Sequence, residues 1–389
     1  MSDKKITKQL KARLKIMSTT TTTDSSSHAA DERLRKVSLT RRLLNRPELG
    51  SASGVLLVFI FFAMVAGDSG MFNGDGVMNW TTVSAQLGII AIGACLLMIA
   101  GEFDLSIGSM IGFAGMMIAI PATYWGWPVW LSILFAFAGA MTIGALIGYT
   151  VVRTGLPSFI VSLAFLFILR GLTIALSILL TNKTIISGVS DLAENDWLAP
   201  FFGGQIGQGL FQWLADVGMM EAYTDGTPIV EGIPMVVIWW IVLAIICSWV
   251  LLRTSFGNWI FATGGDDKAA KNVGVPVDRV KIILFVFTAF CATVYAACQV
   301  MEFGSAAADR GLLKEFEAII AVVIGGALLT GGYGTVIGAC FGALIFGVVQ
   351  MGIFFTGIDS DWFRVFLGVM LLMAVLFNNY VRKRVTEAR

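Results

Sequence analysis

Histidine is nearly missing from this chain of 389 residues: His28 is the only one, and it lies in a polar N-terminal stretch. That argues against zinc sites built on histidine and against Ser-His-Asp chemistry, which both need an imidazole at the reacting centre. The five cysteines (Cys95, Cys247, Cys291, Cys298 and Cys340) all fall inside apolar segments, without a CxxC or Cys/His spacing. They read as small buried hydrophobes, not as a metal or redox site. There is no GxxxxGK[ST] and no Gly-Lys pair anywhere, so a P-loop is excluded. The first 50 residues hold no signal-peptide core. With no nucleophile–base pair and no metal-ligand set, the expectation is no catalytic residues, no metal and no cofactor, and nothing points to a nucleic-acid partner.

Charge is also scarce. Charged residues make up 14% of the chain and hydrophobic ones 57%, where a soluble domain carries about 25% and 45–50%. The chain therefore reads as an all-α polytopic membrane protein, and its 43 glycines suit helices that approach one another closely in a bilayer. Of the 27 lysines and arginines, 12 lie in residues 1–50, and Arg382, Lys383, Arg384 and Arg389 close the chain. Residues 1–50 are expected to be a basic cytoplasmic tail, disordered in part, since STTTTTDSSS is low in complexity. The stretch DERLRKVSLTRRLLNRPEL is either a basic amphipathic helix on an anionic membrane face or a solvated flank that holds the N-terminus inside.

Residues 51–389 form the membrane domain. Apolar runs predict about ten transmembrane helices at 53–68, 85–101, 105–122, 128–151, 156–181, 233–252, 277–300, 315–330, 334–356 and 360–379. Several are shorter than the ~20 residues of an upright span, and short or broken helices are expected where pairs of runs meet at the glycine-rich GEFDLSIGS and TGGYGT. Ten spans return both termini to one side, which the positive-inside rule makes the cytoplasm. VRTGL and the segment 253–276 then lie inside. The loop 182–232 lies outside, with seven acidic residues against Lys183 alone. GSMIGFAGMM and GTVIGACFGAL repeat at an offset of 226 residues, which lays spans one to four over spans seven to ten in the same orientation. The pairs Gly108/Gly112, Gly144/Gly148 and Gly334/Gly338 suit close packing.

Three places carry charge where it is costly. In GEFDLS, residues 101–106, Asp104 either faces a polar pathway together with Glu102, Phe103 and Ser106, or caps the next helix; irregular backbone at membrane depth is tolerated only inside protein or along a cavity. Arg170, in the middle of the fifth run, either pairs with Asp104 or Glu102 or snorkels outward. In ATGGDDKAAKNVGVPVDRV, Gly264 and Gly265 break a helix, Asp266 and Asp267 can cap a short new one, and Gly274 with Pro276 ends it. This is either a linker or a surface for a partner to push against. The outer aromatic residues Trp197, Phe201, Phe202, Phe211, Trp213 and Tyr223 suit a docking surface and a bilayer anchor equally.

GEFDLSIGS, the Arg-Gly within FLFILRGLTIAL, ATGGDDKAAKNVGV and AIIAVVIGGALLTGGYGTVIGACFGALIFGVVQMG together resemble the permease subunits of bacterial ABC importers for ribose-type monosaccharides, over residues 54–181 and 233–380. The resemblance implies a permease domain in the inner membrane. Its expected partners are a cytoplasmic ATP-binding subunit, an extracytoplasmic sugar-binding protein, a second permease subunit (the same chain or a similar one) and a small sugar as substrate. It implies that Gly264, Gly265, Asp266, Asp267, Lys268, Ala269 and Ala270 couple the chain to the ATPase. It places Gln299, Glu302 and Phe303 near the substrate entrance, beside the pathway residues Glu102, Phe103, Asp104, Ser106 and Arg170. Glu102 stands where that pattern has a glycine. The competing reading is a proton-coupled secondary transporter that uses Asp104 or Glu102.

Overall fold

Pro47 opens the first helix, and Pro128, Pro157, Pro234 and Pro276 each precede the first residue of another, where a missing N–H leaves no bond unmade. The computed structural model describes residues 47–359 and 361–387. The expectations for residues 1–46, including the basic amphipathic helix, lie outside the described residues. The helices are α1 (Pro47–Ala66), α2 (Gly74–Ile99), α3 (Ile107–Tyr124), α4 (Val129–Thr154), α5 (Ser158–Thr181), α6 (Met235–Arg253), α7 (Ser255–Gly265), α8 (Asp267–Asn272), α9 (Val277–Phe303), α10 (Lys314–Ile324), α11 (Val336–Phe355) and α12 (Trp362–Glu387). Short helices, Gln208–Asp216 the longest of them, lie between α5 and α6. Two small antiparallel pairs tie the connecting segments: β1 (Ile185–Ser187) with β4 (Ser305–Ala307), and β2 (Gln205–Ile206) with β3 (Ile233–Pro234).

Among the described residues, eight helices are long and apolar enough to cross a membrane: α1 to α6, α9 and α11. A shorter apolar stretch, Trp362–Met373, lies in α12. Between α9 and α11 the chain runs from β4, paired with β1, through α10 to Gly332, whose N–H meets the end of α2. The run predicted at 315–330 is therefore helical only to Ile324. α2 starts well before its apolar run, because its first turn is polar and Asp75 complements the helix N-terminus. The segment between α6 and α8 holds a further helix, α7, capped by Thr254, which accepts the Gly257 N–H at 3.3 Å.

α2 is apolar on every face from Leu87 to Ile99 and lies in the centre, where such a helix belongs. It packs against α9, α11 and α10. Tyr295 and Phe285 on α9 and Phe346 on α11 are the largest side chains sealed in that core. α1, α5 and α6 are buried over less than a third of their apolar windows and form the periphery. α4 runs antiparallel to α9, with Gly144 against Phe285 and Ala289 and Gly148 against Ile282. Gly338 and Gly342 of α11 fit against Gly325 and Ala321. Gly108 and Gly112 face the turn at Ala308–Gly311, and Gly108 also meets Glu315 in the first turn of α10.

Three glycine breaks meet at one end of α2. Gly332 donates its N–H to the Ile99 carbonyl at 2.8 Å. A Cβ on Gly264 would fall 1.8 Å from that same oxygen, and a Cβ on Gly331 2.8 Å from Gly101 Cα. Gly101 (φ +85°) and Gly331 (φ +79°) also occupy the left-handed region, which glycine enters without steric cost. Gly264→Ala is therefore expected to cost about 3 kcal/mol or more through overpacking against backbone. Gly265→Ala, with nothing within 4 Å of its would-be Cβ, is expected to leave stability nearly unchanged. SDS-titration unfolding of the two variants in mixed micelles checks the contrast.

Candidate functional site

The break between α2 and α3 has no helical hydrogen bonds of its own, so its backbone groups need other partners. Two serines of α5, one turn apart, supply them. Ser158 Oγ accepts the Phe103 N–H and Ser162 Oγ accepts the Leu105 N–H, both at 3.0 Å, and Ser162 donates to the Phe103 carbonyl at 3.3 Å. Asp104 is buried. Its Oδ1 accepts the Ser106 N–H at 2.8 Å and the Ser106 hydroxyl at 2.6 Å; its Oδ2 accepts the Thr288 hydroxyl of α9 at 2.7 Å. Asp104 thus holds the turn that leads into α3 and ties it to α9. It does not cap α3, whose N-cap, Ser106, makes no side-chain cap bond.

Glu102 meets α9 two turns before Thr288, on the side of α8. Lys281, in the first turns of α9, lies 2.6 Å from its carboxylate and 3.5 Å from that of Asp267, and Lys281 and Glu102 expose 14% and 11% of their side chains. The suggested pairing of Arg170 with Asp104 or Glu102 is therefore corrected: hydroxyls and an amide hold the first carboxylate, and Lys281 holds the second. Arg170 is half-buried on α5.

In the segment 264–270, Gly264 and Gly265 are the last residues of α7 rather than a gap after it. Asp266 is the N-cap of α8 and accepts the N–H groups of Lys268 and Ala269 at 3.0 Å each. Asp267 and Lys271 sit in its first and last turns, signs that complement the helix dipole. Gly265 to Ala269 are exposed, and Ala270 is the buried anchor beneath them. Lys271 pairs with Asp278 at 2.6 Å, and Gly274 (φ +89°) turns the chain toward α9.

At the opposite end of α9, Gln299, Glu302 and Phe303 gather with residues that the sequence reading did not single out. Gln86 of α2 donates to Glu302 at 3.0 Å, and Gln299 donates to the Tyr295 hydroxyl at 3.0 Å. Arg310 donates to the Ser305 carbonyl and, at 2.9 Å, to its hydroxyl, while its guanidinium lies over the Phe303 ring, 4.7 Å from the centroid. A small cavity between α3 and α9 opens beside Gln299, Arg310 and Gly115. In the segment between α5 and α6, the Thr227 hydroxyl and amide hold the Asp225 carboxyl below its ordinary range. Lys281, Gln86 and Arg310 each left one signal in the sequence, an ionisable or amide group within or beside an apolar run; their partners lie 179, 216 and 5 residues away.

A bundle of membrane-crossing helices, broken and polar near one face, with a capped charged helix set against the break and no nucleotide motif, defines a transport subunit of the inner membrane. The chain belongs to the family described as "Branched-chain amino acid transport system / permease component", which matches residues 76–375. It is similar to a xylose transport system permease protein of Haemophilus influenzae, 29% identical over 361 residues, 85% of this chain and 95% of the relative. It is also similar to a ribose import permease protein of Escherichia coli, 28% identical over 87% of this chain and 97% of the relative, and to a fructose import permease protein of Rhizobium meliloti, 29% identical over 77% and 76%. No solved structure matches the chain.

Because a hydrogen bond to a charged group is worth about 1.5–3 kcal/mol, Thr288→Val is expected to lower stability by about that amount, whereas Thr288→Ser keeps it. Chemical unfolding of both variants in detergent tests the link between Asp104 and α9.

Proposed function

We propose that this chain is the membrane-spanning subunit of an ATP-driven, binding-protein-dependent importer. Paired with a second copy or a similar chain, it forms the pathway for a monosaccharide or related small polyol. The observation that carries this reading is the exposed stretch Gly265 to Ala269, from the end of α7 into α8, held by a cap and a buried anchor beside the glycines that close on the end of α2. A separate ATPase subunit that presses on α8 moves the elements on which those breaks depend, as rigid bodies. The residues of the break, Glu102, Phe103, Asp104 and Ser106, shape the inner part of the pathway. Gln299, Glu302 and Phe303, joined by Gln86 and Arg310, receive the substrate at its outer end: amides and a carboxylate suit hydroxyls, and the Phe303 face suits a sugar ring. Arg170 lines the pathway from α5.

Three relatives that this chain matches over three quarters or more of its length are named for sugars, which supports a sugar over an amino acid as substrate. The partner arrangement follows the family: ATP is hydrolysed elsewhere, and a sugar-binding protein delivers from outside onto the acidic loop 182–232. A proton-coupled carrier is the weaker reading, since both carboxylates it would use are already held by Lys281, Ser106 and Thr288.

The test is reconstitution in proteoliposomes with the ATPase and the binding protein encoded alongside, across xylose, ribose and fructose. Sugar-loaded binding protein is expected to stimulate ATP hydrolysis. Asp266→Lys/Asp267→Lys is expected to lose that stimulation at least about tenfold, as reversal of two charges and loss of a cap at the contact demand, while the protein keeps its native size-exclusion profile. Sugar uptake by the purified chain alone under an imposed proton gradient would overturn the proposal.

A further inference from the structure

Lys281 stands between two carboxylates that belong to different machinery. Glu102 Oε1, in the break that ends α2, lies 2.6 Å away, and Asp267 Oδ2, on α8, lies 3.5 Å away. The two contacts differ in depth. Lys281 and Glu102 are almost wholly covered, while Asp267 shows 48% of its side chain to solvent. The neighbouring charges are otherwise engaged: Asp266 caps α8, and Lys271 holds Asp278 on the solvent side. Among the described residues, Lys281 is therefore the ammonium that joins α8 to the break.

We infer that Lys281 is a positioning residue that transmits the displacement of α8 to the pathway break. This deepens the importer reading and rests on it for what moves α8. A buried ion pair is costly to open from one side, because the remaining charge is left without its partner; a half-exposed contact exchanges readily with water. The Lys281–Glu102 pair thus stays closed while the Asp267 contact makes and breaks. When Asp267 moves with α8, the ammonium on its four-carbon stem shifts, and Glu102 follows. Glu102 is adjacent to Gly101, which packs on Gly331, and two residues from Asp104, which is fixed to Thr288. A displacement of Glu102 therefore bears on the backbone break between two anchored points. A glycine at position 102 would supply no such handle.

The test has one readout without ATPase and one with it. In proteoliposomes of the chain alone, amide hydrogen exchange is followed at residues 100–106 in the wild type and in Asp267→Asn. Both are compared with the same change made in a Glu102→Gln/Lys281→Met background, which avoids leaving one buried charge unpaired. Asp267→Asn is expected to speed exchange at these amides several-fold in the wild type and to leave it unchanged in the background, a non-additivity that marks direct coupling. In the assembled transporter, Asp267→Asn is expected to raise the ATP used per sugar moved, so that uptake falls by more than stimulated hydrolysis does. The charge swap Glu102→Lys/Lys281→Glu is expected to bring that ratio closer to the wild type than either single reversal does. Equal effects of Asp267→Asn on exchange in both backgrounds would overturn the inference, as would a parallel fall in hydrolysis and uptake. If the wild type shows no stimulated hydrolysis, the importer reading fails, while the exchange measurement still decides whether Lys281 couples α8 to the break.

Discussion

The carbonyl oxygen of Ile99 is the point on which the inner half of this molecule depends. It lies in the last turn of the central apolar helix, where the helix offers no further N–H, and an unsatisfied carbonyl at membrane depth costs several kcal/mol. Gly332 supplies the missing donor, and Gly264 covers the oxygen at a distance that admits no Cβ. One backbone acceptor thus draws together three segments, near residues 100, 264 and 332, the last two of which meet it through glycine. Once they meet, the ends of α2 and α7 and the segment that follows α10 are fixed relative to one another, and α8 follows α7 after a single residue.

Around that apolar and backbone joint the charges divide by depth. Asp104 is met by hydroxyls and an amide that lie on its own turn and on α9, so it needs no counter-ion and serves as a fixed tie. Glu102, two residues away, meets the ammonium of Lys281, two turns before Thr288 on the same helix. A carboxylate held by neutral donors and one held by a cation respond differently to motion: the first loses short, directional bonds at once, while the second keeps much of its attraction as the pair lengthens. The break is thus anchored by Asp104 and adjustable at Glu102.

Much of this was legible in the sequence, and the rest was hidden for a definite reason. Apolar run lengths located the spans, because lipid leaves the backbone no alternative to helix. The capped helix at 267–272 was visible because Asp266, the two alanines and Gly274 are local signals. α7 escaped because its polar and aromatic residues, SFGNWIFATGG, lack the length of a span. The partner of Glu102 escaped because nothing local distinguishes Lys281 from any lysine at the mouth of a helix. Arg170 was the more conspicuous charge and drew the pairing to itself, yet contact across a bundle is decided by which helices are neighbours.

On the proposed reading, the cluster at the far end of α9 bears on the substrate by the way its charges are already spent. The family description names branched-chain amino acids, whose recognition calls for a carboxylate binder, an ammonium binder and an apolar pocket together. Arg310, the cation available for a carboxylate, has its guanidinium turned onto Ser305 and the Phe303 ring, which fixes β4 against the end of α9. What stays open toward the neighbouring space is the carboxylate of Glu302, the amides of Gln86 and Gln299, and the aromatic edge. These groups both donate and accept without demanding a formal charge on the ligand. A neutral ring bearing several hydroxyls can satisfy all of them at once. A zwitterion would first have to displace Arg310 from its place in the fold.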